Sequence, residues 1–365
     1  MDGKDKRTVY LLGTTSLIND ASSEAIYAIL PYYVNDPTLV GVYGGLFNGL
    51  GNALKVFFGY YSDRLGKRKP LIILGYFLSA LSKTLMAIVS VALLPVLILI
   101  DRLGKGIRDS PRDAILGVLK ERGVAFGIHR AMDTTGALLG TLLAYFMLQW
   151  LGGDYRIAML IAGLLGFLTL VPLAFLPSYE TEKVKKNLVD SLEHMSSGVK
   201  HFLLPATLFG FAFISPMLFI SGSKDELAYT SILLYALYNV FYAVFAYYLG
   251  KRSDSFGRKR VIVIGGVSAA LSFALMYVAA KYASTILYAL AFSFYGVGMG
   301  AFLPAAFAYV GDMAREKGTA MGAFQTVFGL AVLVSSSIFG YLLANFGSLI
   351  FLGYAVVPIL AVLLV

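Results

Sequence analysis

The sequence runs to 365 residues, 58% of them hydrophobic and only 14% charged, with a mean hydropathy of +0.75 and a formal net charge of +9. A soluble domain carries about 25% charged residues, so a chain this poor in charge turns most of its surface to lipid. The absence of cysteine excludes a disulfide framework, a thiolate metal site and a cysteine nucleophile.

A helix needs about 20 mostly apolar residues to cross the hydrocarbon core. That rule predicts twelve spans, near 8–33, 39–61, 70–90, 91–117, 124–150, 155–176, 202–221, 227–249, 261–281, 284–312, 319–345 and 348–365. The polar stretch 178–200, which holds Glu180, Glu182, Lys183, Lys185, Lys186, Asp190 and Glu193, divides them six and six. The expected organisation is therefore an all-α membrane protein: a six-helix bundle over 1–177, a cytoplasmic linker over 178–200 and a second six-helix bundle over 201–365. The apolar segment after Arg7 is too long for the core of a cleavable signal, so the first span is expected to be retained. With the N-terminus in the cytoplasm, 20 Lys and Arg fall in inner segments, against only Arg156, Lys224 and Lys281 in outer loops. This asymmetry places both termini inside. It also accounts for the basic balance without a nucleic-acid partner.

Charges inside a membrane are costly and mark function by default. Span one carries Asp20 and Glu24, spaced i,i+4 and so on one face with Tyr27, beside Asn19, Ser22 and Ser23. Two carboxylates one turn apart in a low dielectric repel, and a carboxyl that binds and releases a proton is what proton coupling needs. Asp20, Glu24 and Asn19 also offer oxygen ligands to a divalent cation, a less favoured alternative. Lys55 lies in span two and Lys83 in span three. Span four reads Asp101-Arg102-Leu103-Gly104-Lys105-Gly106-Ile107-Arg108-Asp109-Ser110-Pro111-Arg112-Asp113. At helical spacing Asp101, Lys105, Arg108 and Arg112 form one stripe, with Arg102, Asp109 and Asp113 beside it. Pro111 is expected to bend or break that helix. Span five adds His129, Arg130 and Asp133. Seven embedded cations against six acids suit either a working site or a self-neutralising network.

The second half holds a different set: Ser215, Pro216 and Ser221 in span seven, Tyr235, Tyr238, Asn239 and Tyr242 in span eight, Tyr295 in span ten and Gln325 in span eleven. With Asn19 and Tyr27, the residues Tyr235, Tyr238, Asn239, Tyr295 and Gln325 are the candidate lining of a substrate cavity. Aligning Gly123 with Gly318 sets span four against Tyr295–Ala306 and Asp133 against Phe328. The glycines and the proline persist there and the charges do not, so charge is not needed to build these helices.

A short basic signature occurs twice, 191 residues apart: Gly59-Tyr60-Tyr61-Ser62-Asp63-Arg64-Leu65-Gly66-Lys67-Arg68-Lys69 and Gly250-Lys251-Arg252-Ser253-Asp254-Ser255-Phe256-Gly257-Arg258-Lys259-Arg260. A repeat at half the chain length reads as a duplication. Two such loops in a twelve-span pattern resemble the major facilitator superfamily of secondary transporters over essentially the whole chain. The family's loop has the form Gly-x-x-x-Asp-Arg-x-Gly-basic-basic; Gly59, Asp63, Arg64, Gly66, Lys67 and Arg68 match it. Gly250, Asp254, Gly257, Arg258 and Lys259 match the second copy, with Ser255 in place of Arg. Arg102-Leu103-Gly104-Lys105-Gly106 resembles the family's fourth-helix signature. Gly136-Ala137-Leu138-Leu139-Gly140 is a partial match to the glycine signature of its drug-efflux branch.

The resemblance implies alternating access of two halves around a central site. Gly59, Asp63, Arg64, Gly66, Arg68, Gly250, Asp254, Gly257 and Arg258 would act as a conformational gate, and Asp20, Glu24, Arg102, Lys105, Arg108, Arg130 and Asp133 as the coupling and substrate residues. The implied activity is proton-coupled efflux of an amphiphilic compound, with uptake of an organic anion as the alternative. Three histidines and no nucleophile or nucleotide-binding motif argue against an enzyme. The expected setting is the plasma membrane, as a monomer that takes a small solute and protons and uses no cofactor or metal beyond the proton gradient.

Overall fold

The computed structural model describes residues 3–51, 68–119, 121–178, 196–314 and 317–365. Among them no strand occurs, and twelve helical segments follow one another in the expected order. We number them α1 (Gly3–Val34), α2 (Pro37–Gly45, continued by a π-helical turn Leu46–Leu50), α3 (Arg68–Met86), α4 (Leu94–Gly117), α5 (Arg122–Trp150), α6 (Tyr155–Phe167 and Leu170–Ala174), α7 (Ser197–Ala212, Met217–Ser221 and Lys224–Leu227), α8 (Thr230–Phe256), α9 (Arg258–Tyr282), α10 (Thr285–Met313), α11 (Lys317–Phe346) and α12 (Leu349–Tyr354 and Val356–Leu363). Seven helices among the described residues are long and apolar enough to cross a membrane. The 24-residue α4 is long enough but carries its seven charges between 101 and 113.

Local sequence sets several starts. Asp36 caps α2, its side chain accepting from Thr38 N at 2.8 Å with Pro37 in the first turn, where a missing N–H costs nothing. Asp154 caps α6 by accepting from Ile157 N at 3.0 Å. The expected break at Pro111 does not occur: α4 continues through it to Gly117. Ile115 and Leu116 lie fully buried in the adjoining core, so packing holds the last turn where proline removes a backbone donor.

Packing divides the chain into two units, Met1–Ile29 with Leu54–Lys186 and Leu30–Ala53 with Asn187–Val365. The first unit has a core of Val9, Leu12, Ile72, Tyr76, Ile115, Leu116, Leu119, Ala125, Leu173 and Leu176. Small residues let its helices touch backbone to backbone, as membrane helices do where lipid offers no hydrophobic drive. A Cβ on Gly104 would stand 2.7 Å from Gly75 O. In the second unit α2 lies against α11 on glycines: a Cβ on Gly41 would stand 2.9 Å from Gly340 Cα, and one on Gly45 2.7 Å from Leu333 O. The Lys224 ammonium donates to Pro31 O at 2.9 Å and Asn35 Oδ1 at 2.5 Å, and Tyr32 donates to Ala228 O at 2.7 Å.

The duplication is visible inside each unit. Gly75 meets Gly104 in the first, Gly265 meets Gly298 in the second, where a Cβ on Gly298 would stand 3.0 Å from Gly265 O. Lys69 donates to Ala174 O at 3.2 Å and Leu176 O at 2.5 Å; Lys259 donates to Val365 O at 2.7 Å. In each unit a lysine of the basic motif thus satisfies carbonyls at the end of the unit's last helix, where cations are favoured. Lys69→Met is expected to remove about 1–2 kcal/mol and lower the thermal-unfolding midpoint of the purified protein, while Lys69→Arg retains it.

Candidate functional site

The polar face of α1 meets the charged helices inside the first unit. The Lys83 ammonium on α3, fully buried, donates to Asn19 Oδ1 at 3.1 Å and Ser23 Oγ at 3.0 Å, and lies 3.5 Å from Asn19 O. Asn19 Nδ2 donates to Asp20 Oδ1 at 3.1 Å. Asp20 in turn faces Asp133 of α5 within hydrogen-bonding reach, with Lys105 and Glu24 as further charged neighbours. Asp133 accepts from Ser16 Oγ at 2.6 Å and from Arg130 Nη1 at 3.2 Å. On the other side of Asn19, Ser79 Oγ sits 3.4 Å from Asn19 Oδ1 and donates to Asp101, which also accepts from Arg102 Nε at 2.9 Å. A continuous polar chain therefore runs from Asp101 on α4, through Ser79, Asn19 and Asp20, to Asp133 on α5.

The two stripes of α4 pair with each other. Lys105 reaches Asp109 at 3.3 Å, and Arg112 bridges Asp109 at 3.1 Å and Asp113 at 2.8 Å. Arg108, 1% exposed, lies 3.7 Å from Asp109 and stacks over the Tyr76 ring at 4.5 Å. The self-neutralising arrangement is thus realised along α4, while Asp20 meets a second acid.

Of the residues singled out from sequence, Asn19, Asp20, Arg102, Lys105, Arg108, Arg130 and Asp133 come together in this unit. Glu24 is half-buried one turn beyond Asp20, and Tyr27 is buried. Asp20's foremost acidic neighbour is Asp133 rather than Glu24, because α5 approaches α1 on glycines. A Cβ on Gly136 would stand 2.8 Å from Leu17 Cα, and one on Gly140 2.7 Å from Ala21 Cα. Ser16, Ser79 and Lys83 belong to the chain of contacts and were missed as site residues. For Lys83 the signal was present, a cation in the interior of an apolar span.

The aromatic candidates lie in the second unit. Tyr235 stacks on Tyr238 with centroids 5.6 Å apart, and Tyr238 lies 5.7 Å from Tyr295. Tyr295 was expected to line a cavity. It is instead a core residue, 1% exposed, donating to Ile214 O at 2.5 Å. Asn239 and Gln325 are half-buried.

Of the gate residues, Gly59, Asp63, Arg64 and Gly66 lie outside the described residues, and Arg68 is buried at the start of α3. In the second copy Gly257 joins α8 to α9 at φ +100°, a conformation that favours glycine. Asp254 pairs with Arg258 at 2.5 Å, Arg258 reaches Asp312 at 3.1 Å, and Gly250 rests on Pro304. Among the described residues no cluster of three or more His, Asp or Glu is placed to hold a metal ion.

The glycine contacts inside each unit also show which positions of one correspond to which of the other. Gly75 packs on Arg108 and Gly265 on Phe302; Gly104 packs on Ser79 and Gly298 on Ala269; Gly136 packs on Leu17 and Ala331 on Gly210. In this register Lys83 stands where the second unit has Phe273, Asp101 where it has Tyr295, Arg108 where it has Phe302, Asp20 where it has Phe213, and Asp133 where it has Phe328. Those aromatics pack on one another: Phe273 on Tyr295 at 5.9 Å, Phe213 on Phe302 at 5.2 Å and Phe302 on Phe328 at 5.5 Å. One unit fills these positions with rings and the other with charge.

Two duplicated helical units, apolar enough to cross a membrane and with a cluster of buried charges on the helices of the first, define a multi-pass membrane transporter of a small molecule. A family model described as Major Facilitator Superfamily matches residues 12–232 and 206–365, and the chain belongs to that family; its members are transporters and not enzymes. The sequence is 36% identical over 384 residues to the uncharacterized MFS-type transporter MJ1317 of Methanocaldococcus jannaschii, covering 100% of this chain and 95% of that protein. It is 29% identical over 182 residues to the multidrug resistance protein MdtH of Baumannia cicadellinicola, covering 48% of this chain and 43% of that one. Among solved structures it resembles a mutant of the nucleoside transporter NupG, with a TM-score of 0.82 at 16% identity over 98% of this chain and 99% of that chain. It also resembles the xylose transporter XylE from E. coli, with a TM-score of 0.74 at 17% identity over 99% and 97%. At these identities the structures show the fold.

Proposed function

We propose that the protein is a proton-coupled secondary transporter that exports a small amphiphilic solute by antiport, its two halves alternating around a central site. The observation that carries this reading is the meeting of Asp20 with Asp133. A hydrogen bond between two carboxyl groups holds one proton, and Lys105 and Arg130 lie beside the pair to balance the charge once that proton leaves. The partial likeness to MdtH supports export. The motif repeats serve as the gate, the energy source is the proton gradient without a cofactor, and the setting is the plasma membrane, as a lipid-embedded monomer with both termini in the cytoplasm.

The test uses proteoliposomes with an internal pH dye and tetraphenylphosphonium or ethidium as amphiphilic probes. The expected result is probe-dependent proton movement that Asp20→Asn abolishes; undiminished proton movement in Asp20→Asn would sink the reading. Arg108 favours the second reading, uptake of an organic anion, because its buried Nε and Nη1 meet no hydrogen-bond acceptor among the described residues. Proton movement driven by benzoate and not by the cationic probes would select it.

A further inference from the structure

The polar chain contains a residue with no part in proton exchange itself, yet with control over the group that has one. An amide side chain can present either its oxygen or its nitrogen to a neighbour. Asn19 has no such freedom here. The ammonium of Lys83 is a donor only, and it lies 3.1 Å from the Asn19 Oδ1 position, with the Ser79 hydroxyl on the same atom at 3.4 Å. Because the Ser79 proton goes to Asp101, it is Lys83 that requires the oxygen to face it, which leaves Nδ2 to face Asp20 Oδ1 at 3.1 Å. Lys83 is itself held in place: Ser23 Oγ at 3.0 Å takes another of its protons, it is fully buried, and Asp101, Arg108, Arg102 and Asp20 are the charges that face it. The charges facing Asp20 are Asp133, Lys105, Glu24 and Lys83 itself.

We propose that Lys83 is the positioning residue of the proton site, fixing the Asn19 amide so that it donates to Asp20. The inference rests on the reading of Asp20 as the proton carrier. It extends that reading to α3, because Lys83 reaches Asn19 only while α1 and α3 keep their present register. A shift of α1 along α3 frees the amide and removes one donor from Asp20, so the state of the carboxyl follows the position of the helix. Simple packing does not demand a lysine here, since the matching position in the second unit is filled by Phe273.

The test is infrared difference spectroscopy of the full-length protein in lipid, acid minus alkaline, which needs no knowledge of the substrate. The protonated Asp20 carbonyl band is the one that Asp20→Asn removes. Its oxygen accepts from Asn19, so the band is expected to move to higher wavenumber in Asn19→Leu and equally in Lys83→Met, and to stay near its native position in Lys83→Arg. Should Lys83→Met fail to fold, Lys83→Leu, which likewise carries no donor, is read the same way. A band that does not move in the Asn19 and Lys83 variants overturns the positioning role and leaves the proton site standing. If Asp20→Asn removes no band, Asp20 exchanges no proton and both readings fall.

Discussion

Asp101→Asn is expected to cost about 3–5 kcal/mol of stability, enough to leave little monodisperse protein after purification. Asp101 is fully buried on α4 and accepts from both Ser79 and Arg102. Arg102, Lys83 and Arg108 all face it, so one carboxylate offsets three buried cations. Asparagine keeps the shape and can still accept from Ser79, but it removes the only charge of opposite sign among these four. Breaking a buried pair from one side strands a charge in low dielectric, which costs far more than the intact pair ever contributed. Arg130→Ala is the contrast. Its guanidinium is 65% exposed in the pair with Asp133, so its loss is expected to cost under about 1 kcal/mol. Thermal unfolding of the two variants beside the native protein measures both. Equal stability of Asp101→Asn and the native protein would show that the three cations find other partners.

The difference between these two sites marks what could be read from the sequence. Among the described residues hydropathy alone placed the helices, because each apolar run has to supply its own backbone hydrogen bonds in lipid; the end of the second span and Lys55 lie outside them. Helical spacing grouped Lys105, Arg108 and Arg112 correctly on α4, since 100° per residue is a property of one chain. The same spacing paired Asp20 with Glu24, its neighbour one turn along α1, whereas the foremost partner is Asp133 on another helix. Register between helices is decided by close contacts such as Gly75 on Gly104 and Gly136 on Leu17, and no periodicity within one helix encodes it. For the same reason Tyr295 was expected in a cavity. A backbone carbonyl satisfies its hydroxyl inside the core, as buried tyrosines commonly arrange. Comparing the two halves was the more reliable guide, because a position held by Phe273 or Phe328 in one unit and by Lys83 or Asp133 in the other has already been tested for folding without charge.

The register also gives the glycines of α5 a role in the chemistry. Gly136 and Gly140 are one turn apart on the face that meets α1, and they touch the backbone of Leu17 and Ala21, the residues three before and one after Asp20. Any side chain there would push the two helices apart and carry Asp20 away from Asp133. Gly140→Ala places a methyl group 2.7 Å from Ala21 Cα, and two backbones cannot rotate away as a side chain can. The expected cost is about 1–3 kcal/mol, with loss of probe-dependent proton movement in whatever protein still folds. Gly127 lies on the same helix with nothing within 4 Å of a Cβ. There the same substitution is expected to stabilise by about 0.5–1 kcal/mol, through the better helix propensity of alanine. Opposite signs from one substitution on one helix separate close approach from propensity. Thermal unfolding of Gly140→Ala and Gly127→Ala in parallel reads them, and a shift of the same sign in both would mean that α5 does not need its glycines to reach α1.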